Sequence, residues 1–302
     1  MKTFDRFIGI DWSGAAGEYQ AGIQVAEANK GAKRLRLVRP PRGSHWSRQS
    51  VLDFITNETN QRTLVGFDFA FSLPWNRDLE SLPVCFSGLK GARQLWTFID
   101  DFCNDMPFLH AGPIWQSQES PFRPFIKFWS HADHYQGDMF DGGQLRRTEM
   151  AAKASGLRPK SVYRLAGHQV GAGSFAGMRL LNRIAHAQGT DVAIWPFDAI
   201  ETAKVVVAEI YPAAFYRLAG RSRPTPKQAK SGAHAAVVGD VLKFFDARYD
   251  GRIPDSIDAI DALTSTAAMM HLSRTCLLPL FDDPDISGNE GWIFAVRPQV
   301  QP

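Results

Sequence analysis

Two short apolar runs, each closed by an aspartate, constrain the fold of this chain more than any other feature. They are Phe7-Ile8-Gly9-Ile10-Asp11 and Thr63-Leu64-Val65-Gly66-Phe67-Asp68. Neither alternates apolar with polar residues. Each therefore predicts a strand buried on both faces, as the central strands of a parallel sheet are. A third segment, residues 255–263, places Asp255, Asp258 and Asp261 three positions apart at the start of an apolar helix. Carboxylates at the ends of neighbouring strands, faced by carboxylates on a helix, would converge into an oxygen-rich pocket. Such a pocket suits hard divalent cations, magnesium or manganese.

The strand at residues 6–11 leads into the small-residue turn Trp12-Ser13-Gly14-Ala15-Ala16-Gly17. Strands at residues 21–26 and 34–39 would follow as an antiparallel meander. Residues 47–59 carry helical spacing at Val51, Phe54 and Ile55, ahead of the strand at 63–68. Between about residues 72 and 143 the rhythm breaks, with Pro74, Pro83, Pro107, Pro113, Pro121 and Pro124 interleaved among Trp75, Trp96, Trp115 and Trp129. This predicts an ordered but irregular insertion, too aromatic to be disordered. Beyond it the pattern predicts strands at 161–165 and 205–211, and a helix capped by Ser174 that reaches residue 187. Further helices are expected at 234–248 and, bearing the acids, at 255–274.

A chain of 302 residues has room for one large α/β domain with an insertion, or for two smaller domains. With no internal repeat in view, the reading is one domain over residues 1–302. The net charge of +3 is too small to argue for nucleic acid by itself. Cys85, Cys103 and Cys276 form no C-x-x-C pair, which argues against a zinc cluster or a disulfide framework and predicts reduced thiols. No apolar run approaches the roughly 20 residues of a membrane span, and the amino terminus lacks the apolar region of a signal peptide. The expectation is a cytoplasmic protein with no membrane partner.

Each acid has a structural reading beside the functional one. Asp11 and Asp68 would serve as strand-end turn residues, although burying Asp68 among Phe67, Phe69 and Phe71 is costly unless a cation or donors compensate. Asp255 would act as an N-cap and Asp258 as its capping-box partner, gaining also from the helix dipole. Asp261 is the most informative. It lies in the second turn, past the dipole's reach, on one face with Asp258 and with Cβ atoms about 5–6 Å apart. Ala259, Ala262 and Ala267 would let this helix approach a sheet closely. Glu209, a polar intrusion into a β-branched strand, reads equally as a site residue and as an arginine's partner. Glu149, after Arg146 and Arg147, reads also as a surface ion pair.

Taken in order, several segments resemble a known family. They are Ile8-Gly9-Ile10-Asp11, Phe67-Asp68, Arg147-Thr148-Glu149, Val170-Gly171, Trp195-Pro196-Phe197, Glu209-Ile210-Tyr211-Pro212 and Asp258-Ala259-Ile260-Asp261-Ala262-Leu263. Together they resemble the predicted RNase H-like nucleases known as domain of unknown function 429. The likeness covers most of the chain and is thinnest in the insertion. The order is also similar to that of Holliday-junction resolvases of the RuvC type. There an acid ends strand one, another ends strand four, and a D-x-x-D-A-L helix closes the site. Asp11, Asp68, Asp258 and Asp261 match those positions, Asp68 being one methylene shorter than the resolvase glutamate.

The resemblance implies an RNase H-like α/β fold: a mixed sheet whose first three strands are antiparallel, with parallel strands beyond and helices on both faces. It implies a nuclease whose Asp11, Asp68, Asp258 and Asp261 are at once catalytic and metal-binding, with Mg2+ or Mn2+ as cofactor and nucleic acid as substrate. Two cations about 3.5–4 Å apart would divide the work, one activating water and the other stabilising the leaving oxygen of the phosphodiester. Glu209, Glu149 and His168 are additional candidates for that site.

His168 belongs to Gly167-His168-Gln169-Val170-Gly171-Ala172-Gly173-Ser174, whose backbone amides would either hold a phosphate ahead of a helix or form a plain tight turn. This run fits neither a P-loop nor a dinucleotide fingerprint. His131, Asp133 and His134 lie close in sequence, but their spacing does not gather them on a helix. Arg221, Arg223, Lys227 and Lys230 form a basic stretch ahead of the acid-bearing helix. They make either a solvated face or a track for a substrate backbone with salt-dependent affinity. Arg147, Arg221, Arg223 and Lys227 are the candidate substrate-binding cations.

Two rival functions fit parts of the pattern. Ile10-Asp11-Trp12-Ser13-Gly14 faintly resembles the first phosphate loop of actin-like ATP-dependent phosphotransferases, but a second such loop and a duplicated core are not evident. The other rival is a non-catalytic module that uses the pocket to bind a nucleotide or nucleic acid.

Overall fold

The strand that opens the chain is β1 (Arg6–Asp11), buried from Phe7 onward, with the bounds its apolar run predicts. The computed structural model describes residues 3–57, 60–75, 88–123, 126–128, 145–165, 170–187, 191–274, 278–279 and 281–298. After β1 come β2 (Tyr19–Gln20), β3 (Gln24–Asn29), β4 (Arg34–Leu37) and β5 (Trp46–Ser47), then α1 (Arg48–Thr56) and β6 (Thr63–Phe67). The insertion contributes α2 (Ala92–Phe102), α3 (Pro113–Gln116) and β7 (Lys127–Phe128), followed by α4 (Arg147–Ala154) and β8 (Arg164–Leu165). The rest comprises α5 (Gly171–His186), β9 (Val192–Ile194), β10 (Val205–Glu209), α6 (Pro212–Leu218), α7 (Pro226–Lys230), α8 (Ala235–Phe244), β11 (Arg248–Tyr249) and α9 (Ile257–Leu272).

Seven of these strands form one mixed sheet in the order β11-β4-β3-β1-β6-β10-β9. β1, β3 and β4 are antiparallel neighbours, whereas β6, β10 and β9 run parallel to β1. β11 adds to β4 in parallel. The protein is therefore α/β, with helices on both faces. One face of β1, β6 and β10 (Phe7, Leu64, Val206) packs with Ile260, Leu263 and Met269 of α9 and with Phe215 of α6. The other face (Ile8, Ile10, Val65, Phe67, Val207) packs with Trp96 of α2 and with Phe175 and Leu180 of α5. Two apolar faces are why these strands lack alternation.

A row of small residues crosses the sheet beneath α9. Ala26, Gly9, Gly66 and Ala208 are register partners on β3, β1, β6 and β10. A Cβ at Gly9 would lie 2.6 Å from the Ala262 carbonyl oxygen, and one at Gly66 would lie 2.6 Å from the Met269 sulfur. The helix thus sits closer to β1 than any larger side chain would allow, as its alanines predict. This close approach is what brings the acids of α9 up to the end of β1.

Several expected bounds move. The second strand of the meander is β3 at Gln24–Asn29 rather than 21–26, because its pairing with all of β1 ends at Asp11 opposite Gln24. The described part of the insertion is more regular than its prolines suggest. Ala92, Leu95, Trp96 and Ile99 recur at helical spacing and bury one side of α2. Ser174 does not cap α5 but lies inside its first turns, where its hydroxyl donates to the Val170 carbonyl oxygen and accepts from the Ala70 N–H. Ser256, not Asp255, caps α9, accepting from the Ala259 N–H, while Asp255 pairs with Arg252 at the surface. Serine wins because the helix begins one residue later than the spacing of acids implies. Among the described residues, no helix is long and apolar enough to cross a membrane. Cys103 is a buried free thiol; Cys85, Cys276, His131, Asp133, His134 and His168 lie outside the described residues.

Candidate functional site

Asp11 and Asp68 come together because β1 and β6 run parallel and in register, so both runs end at the same edge of the sheet. The Asp68 N–H donates to the Ile10 carbonyl oxygen at 3.1 Å, which carries the β6 backbone one residue past the strand alongside Asp11. The carboxyl end of parallel strands is where open α/β sheets place ligands. Above it, α9 presents Asp258 in its first turn and Asp261 one turn on. A cavity of about 600 Å3 opens there, lined by Asp11, Asp68, Asp258, Arg223, Gly14 and Gly173 among others. Asp261 is fully buried beside it.

The four carboxylates sense one another strongly. Burial, then the charges of Asp68, Asp261 and Asp258, raises Asp11 well above the usual carboxylate range. Burial and then the Asp261 charge push Asp68 up to about 7; Arg223 opposes this, and Glu209 and Asp258 add to it. Burial also raises Asp261, against the pull of the adjacent Arg223 guanidinium. Desolvation disfavours each charged form, and like charges at short range disfavour their joint ionisation.

Arg223 is the cation of the cluster. Its Nε donates to Asp261 Oδ2 at 2.7 Å, and its Nη2 pairs with the same oxygen. Asp261 Oδ1 is buried without a hydrogen bond of ordinary geometry, and the Tyr216 hydroxyl of α6 also stands close enough to favour the charged carboxylate. The basic stretch therefore reaches the site, but through Arg223 alone and by binding an acid. Arg221 instead pairs with Asp240, and Lys227 is exposed on α7. Arg147 pairs with Asp283 and Asp285.

Glu209 and Glu149 are joined by a residue that the sequence did not single out for this role. Arg146, fully buried, donates to both Glu209 carboxylate oxygens at 2.8 and 2.5 Å and to Glu149 Oε1 at 3.2 and 2.9 Å. Glu209 also accepts from the Phe71 N–H, and Glu149 from the Arg146 N–H. Glu209 is thus the arginine's partner, and its charge reaches the site as a neighbour of Asp68. The ion pair of Glu149 is interior rather than on the surface.

The loop after β1 also lines the cavity. A Cβ at Gly14 would lie 2.2 Å from the Ala172 carbonyl carbon, so only glycine lets this loop rest on the first turn of α5. Trp12 Nε1 donates to the Gly173 carbonyl oxygen across the same contact. Arg48 holds the loop from behind, donating to the carbonyl oxygens of Ser13 (3.1 and 2.8 Å), Ala15 (2.7 Å) and Phe108 (2.7 Å). Burial, and then the charge of Arg179, lowers its pKa to about 10. No local pattern marks Arg48, since all its acceptors are backbone groups distant in sequence.

The donor chemistry of the four acids suits a hard divalent cation. The arrangement itself holds a guanidinium. Among the described residues, no three acidic, imidazole or thiol groups stand close enough to share one ion. Comparison with protein-family models, curated proteins and solved structures finds no match to this chain.

Proposed function

We propose that this protein is a divalent-cation-dependent nuclease with an RNase H-like arrangement of acids, acting on nucleic acid. The observation that carries the reading is the gathering of Asp11, Asp68 and Asp258 in the lining of one cavity, with Asp261 buried beside it. Four carboxylates gathered from two strands and a helix are unfavourable to folding, since burial and mutual repulsion raise three of them. Arg223 offsets only part of that charge. A cluster retained at such a cost is explained by a ligand that needs it.

On this reading Asp11, Asp68, Asp258 and Asp261 would close around Mg2+ or Mn2+ when it binds, since without it no three of them stand close enough to share one ion. The cation supplies Lewis acidity to the phosphodiester and to the attacking water. The remaining groups orient the substrate. The first turn of α5 carries amide groups without intrahelical partners, and with the Gly14 loop it lines the same cavity as the acids. A phosphodiester bound there would have both the amides and the acid cluster within the cavity. The order of strand-end and helix acids is the one that the RuvC-type resemblance implies.

The test is cleavage of single-stranded, duplex, hybrid and branched DNA and RNA at low salt. Activity is expected with Mg2+ or Mn2+, lost with chelator and lost in Asp11→Asn. Chelator-resistant cleavage, or equal activity in Asp11→Asn, sinks the reading. The Arg223–Asp261 pair favours one rival, a metal-free pocket that binds a nucleotide or nucleic acid without turnover. Oligonucleotide binding with no Mn2+ uptake and no cleavage would select it, whereas ATP turnover would select the phosphotransferase.

A further inference from the structure

Among the arginines that neutralise buried carboxylates, Arg146 and Arg223 differ in how they are held. Arg146 is sealed, with no exposed side-chain surface and every contact made to Glu149, Glu209 or backbone. Arg223 is not sealed: its side chain is 39 % exposed while Asp261 is fully buried. It projects from the irregular segment between α6 and α7 and lines the cavity. Its two donors share Asp261 Oδ2 and leave Oδ1 to the interior, where the Tyr216 hydroxyl also favours the charged carboxylate. The guanidinium thus grips one oxygen of the acid, with the cavity beside it.

We propose that Arg223 is an exchangeable counter-cation, which neutralises Asp261 in the metal-free protein and leaves it when a divalent cation enters. This rests on the metal-dependent reading above and assigns Arg223 a role within it. A guanidinium and a divalent cation would both draw on the Asp261 carboxylate, and at a few ångströms they repel each other. The dication carries twice the charge and enters a cavity already lined by Asp11, Asp68 and Asp258, so it competes with the arginine for Asp261. Arg223 needs no backbone unfolding to move, because its segment is neither helix nor strand and its stem reaches the surface. Once released beside an anionic phosphodiester, its planar fork is suited to a phosphate oxygen pair. The residue thereby stabilises the empty site and then positions substrate, so substrate engagement follows metal loading.

Calorimetric titration of the full chain with Mn2+ alone, without nucleic acid, tests this. Arg223→Gln removes the competitor and is expected to bind Mn2+ about tenfold tighter than the wild type, within the usual range of coupled binding. Arg223→Lys, a more conservative variant that keeps the charge, serves if the glutamine variant fails to fold; its weaker, monodentate grip on Asp261 should also tighten Mn2+ binding. In the wild type, the Arg223 Nε–H resonance should shift or broaden on adding Mg2+. Mn2+ binding by the wild type with unchanged or weaker affinity in the folded variant overturns the exchange while leaving the nuclease reading standing. An Arg223 resonance that Mg2+ leaves unmoved at saturation overturns it as well. Absence of Mn2+ binding by wild type and variant alike overturns the metal-dependent reading and the exchange with it.

Discussion

The Gly9 N–H donates to Thr266 Oγ1 at 2.9 Å, joining the strand that bears Asp11 to the helix that bears Asp258 and Asp261. The same hydroxyl lies 2.8 Å from the Ala262 carbonyl oxygen and 3.1 Å from that of Ala26, so one threonine ties α9 to both β1 and β3. The spacing of the acids depends on this contact. Gly9→Ala would drive a methyl group into the Ala262 carbonyl and is expected to cost about 1–3 kcal/mol, as overpacked interiors do. Thr266→Val should cost a similar amount by leaving the Gly9 N–H buried without an acceptor, roughly 1–3 kcal/mol. Urea denaturation checks both. An unchanged midpoint in Gly9→Ala would mean that the helix can lift away freely.

The buried Arg146 cluster predicts a larger effect. Arg146→Met would strand the Glu149 and Glu209 carboxylates in the interior and should destabilise by about 3–5 kcal/mol. Simultaneous Glu149→Gln and Glu209→Gln in the Arg146→Met background should recover much of that loss, because the uncompensated charges are then gone. A triple variant no more stable than Arg146→Met would show that packing, not charge, sets the cost.

Arg48 predicts a local effect at the cavity wall. Arg48→Met deprives Ser13, Ala15 and Phe108 carbonyls of their donor and should cost about 1–3 kcal/mol for the buried share of those bonds. Amide hydrogen exchange across residues 13–17 should accelerate more than exchange in β3 or α9. Uniform acceleration over the whole chain would instead mark Arg48 as a general core residue.

The raised acids predict a stability that declines with pH in metal-free buffer. Asp68 titrates at about 7 in the folded protein against an ordinary value of 3.8, and Asp11 is raised as well. Between those values the folded state keeps protons that the unfolded chain has released. The contribution is therefore fully present below about pH 4 and is lost as pH rises through about 7. His110 works in the opposite sense, since burial and then the Arg48 charge lower it below 6.5. Asp68→Asn isolates the carboxylate: its denaturation midpoint should fall less than that of the wild type between about pH 5 and pH 8. Parallel profiles for the two proteins would rule out Asp68 as the titrating group.

Local pattern carried much of this architecture. The unbroken apolar runs of β1 and β6 placed Asp11 and Asp68 at strand ends, because a strand buried on both faces must be apolar throughout. The i, i+3 spacing of Asp258 and Asp261 placed them on one face of α9, because helix geometry follows from spacing alone. Ala259 and Ala262 announced a close helix–sheet contact. The row of Ala26, Gly9, Gly66 and Ala208 that receives α9 was not legible, since it exists only once four strands lie in register.

Partners distant in the chain were decided by the tertiary structure. Glu209 and Glu149 are bound by Arg146, which joins the start of α4 to the end of β10, while Glu290 accepts from both the Arg147 and Trp75 N–H groups. The Arg221 to Lys230 stretch presents equal charges in sequence, yet Arg223 alone reaches the acids. Charge says which residues can attract one another. Which of them meet depends on chain entropy and packing over separations such as the 38 residues between Arg223 and Asp261, and no local periodicity encodes that choice.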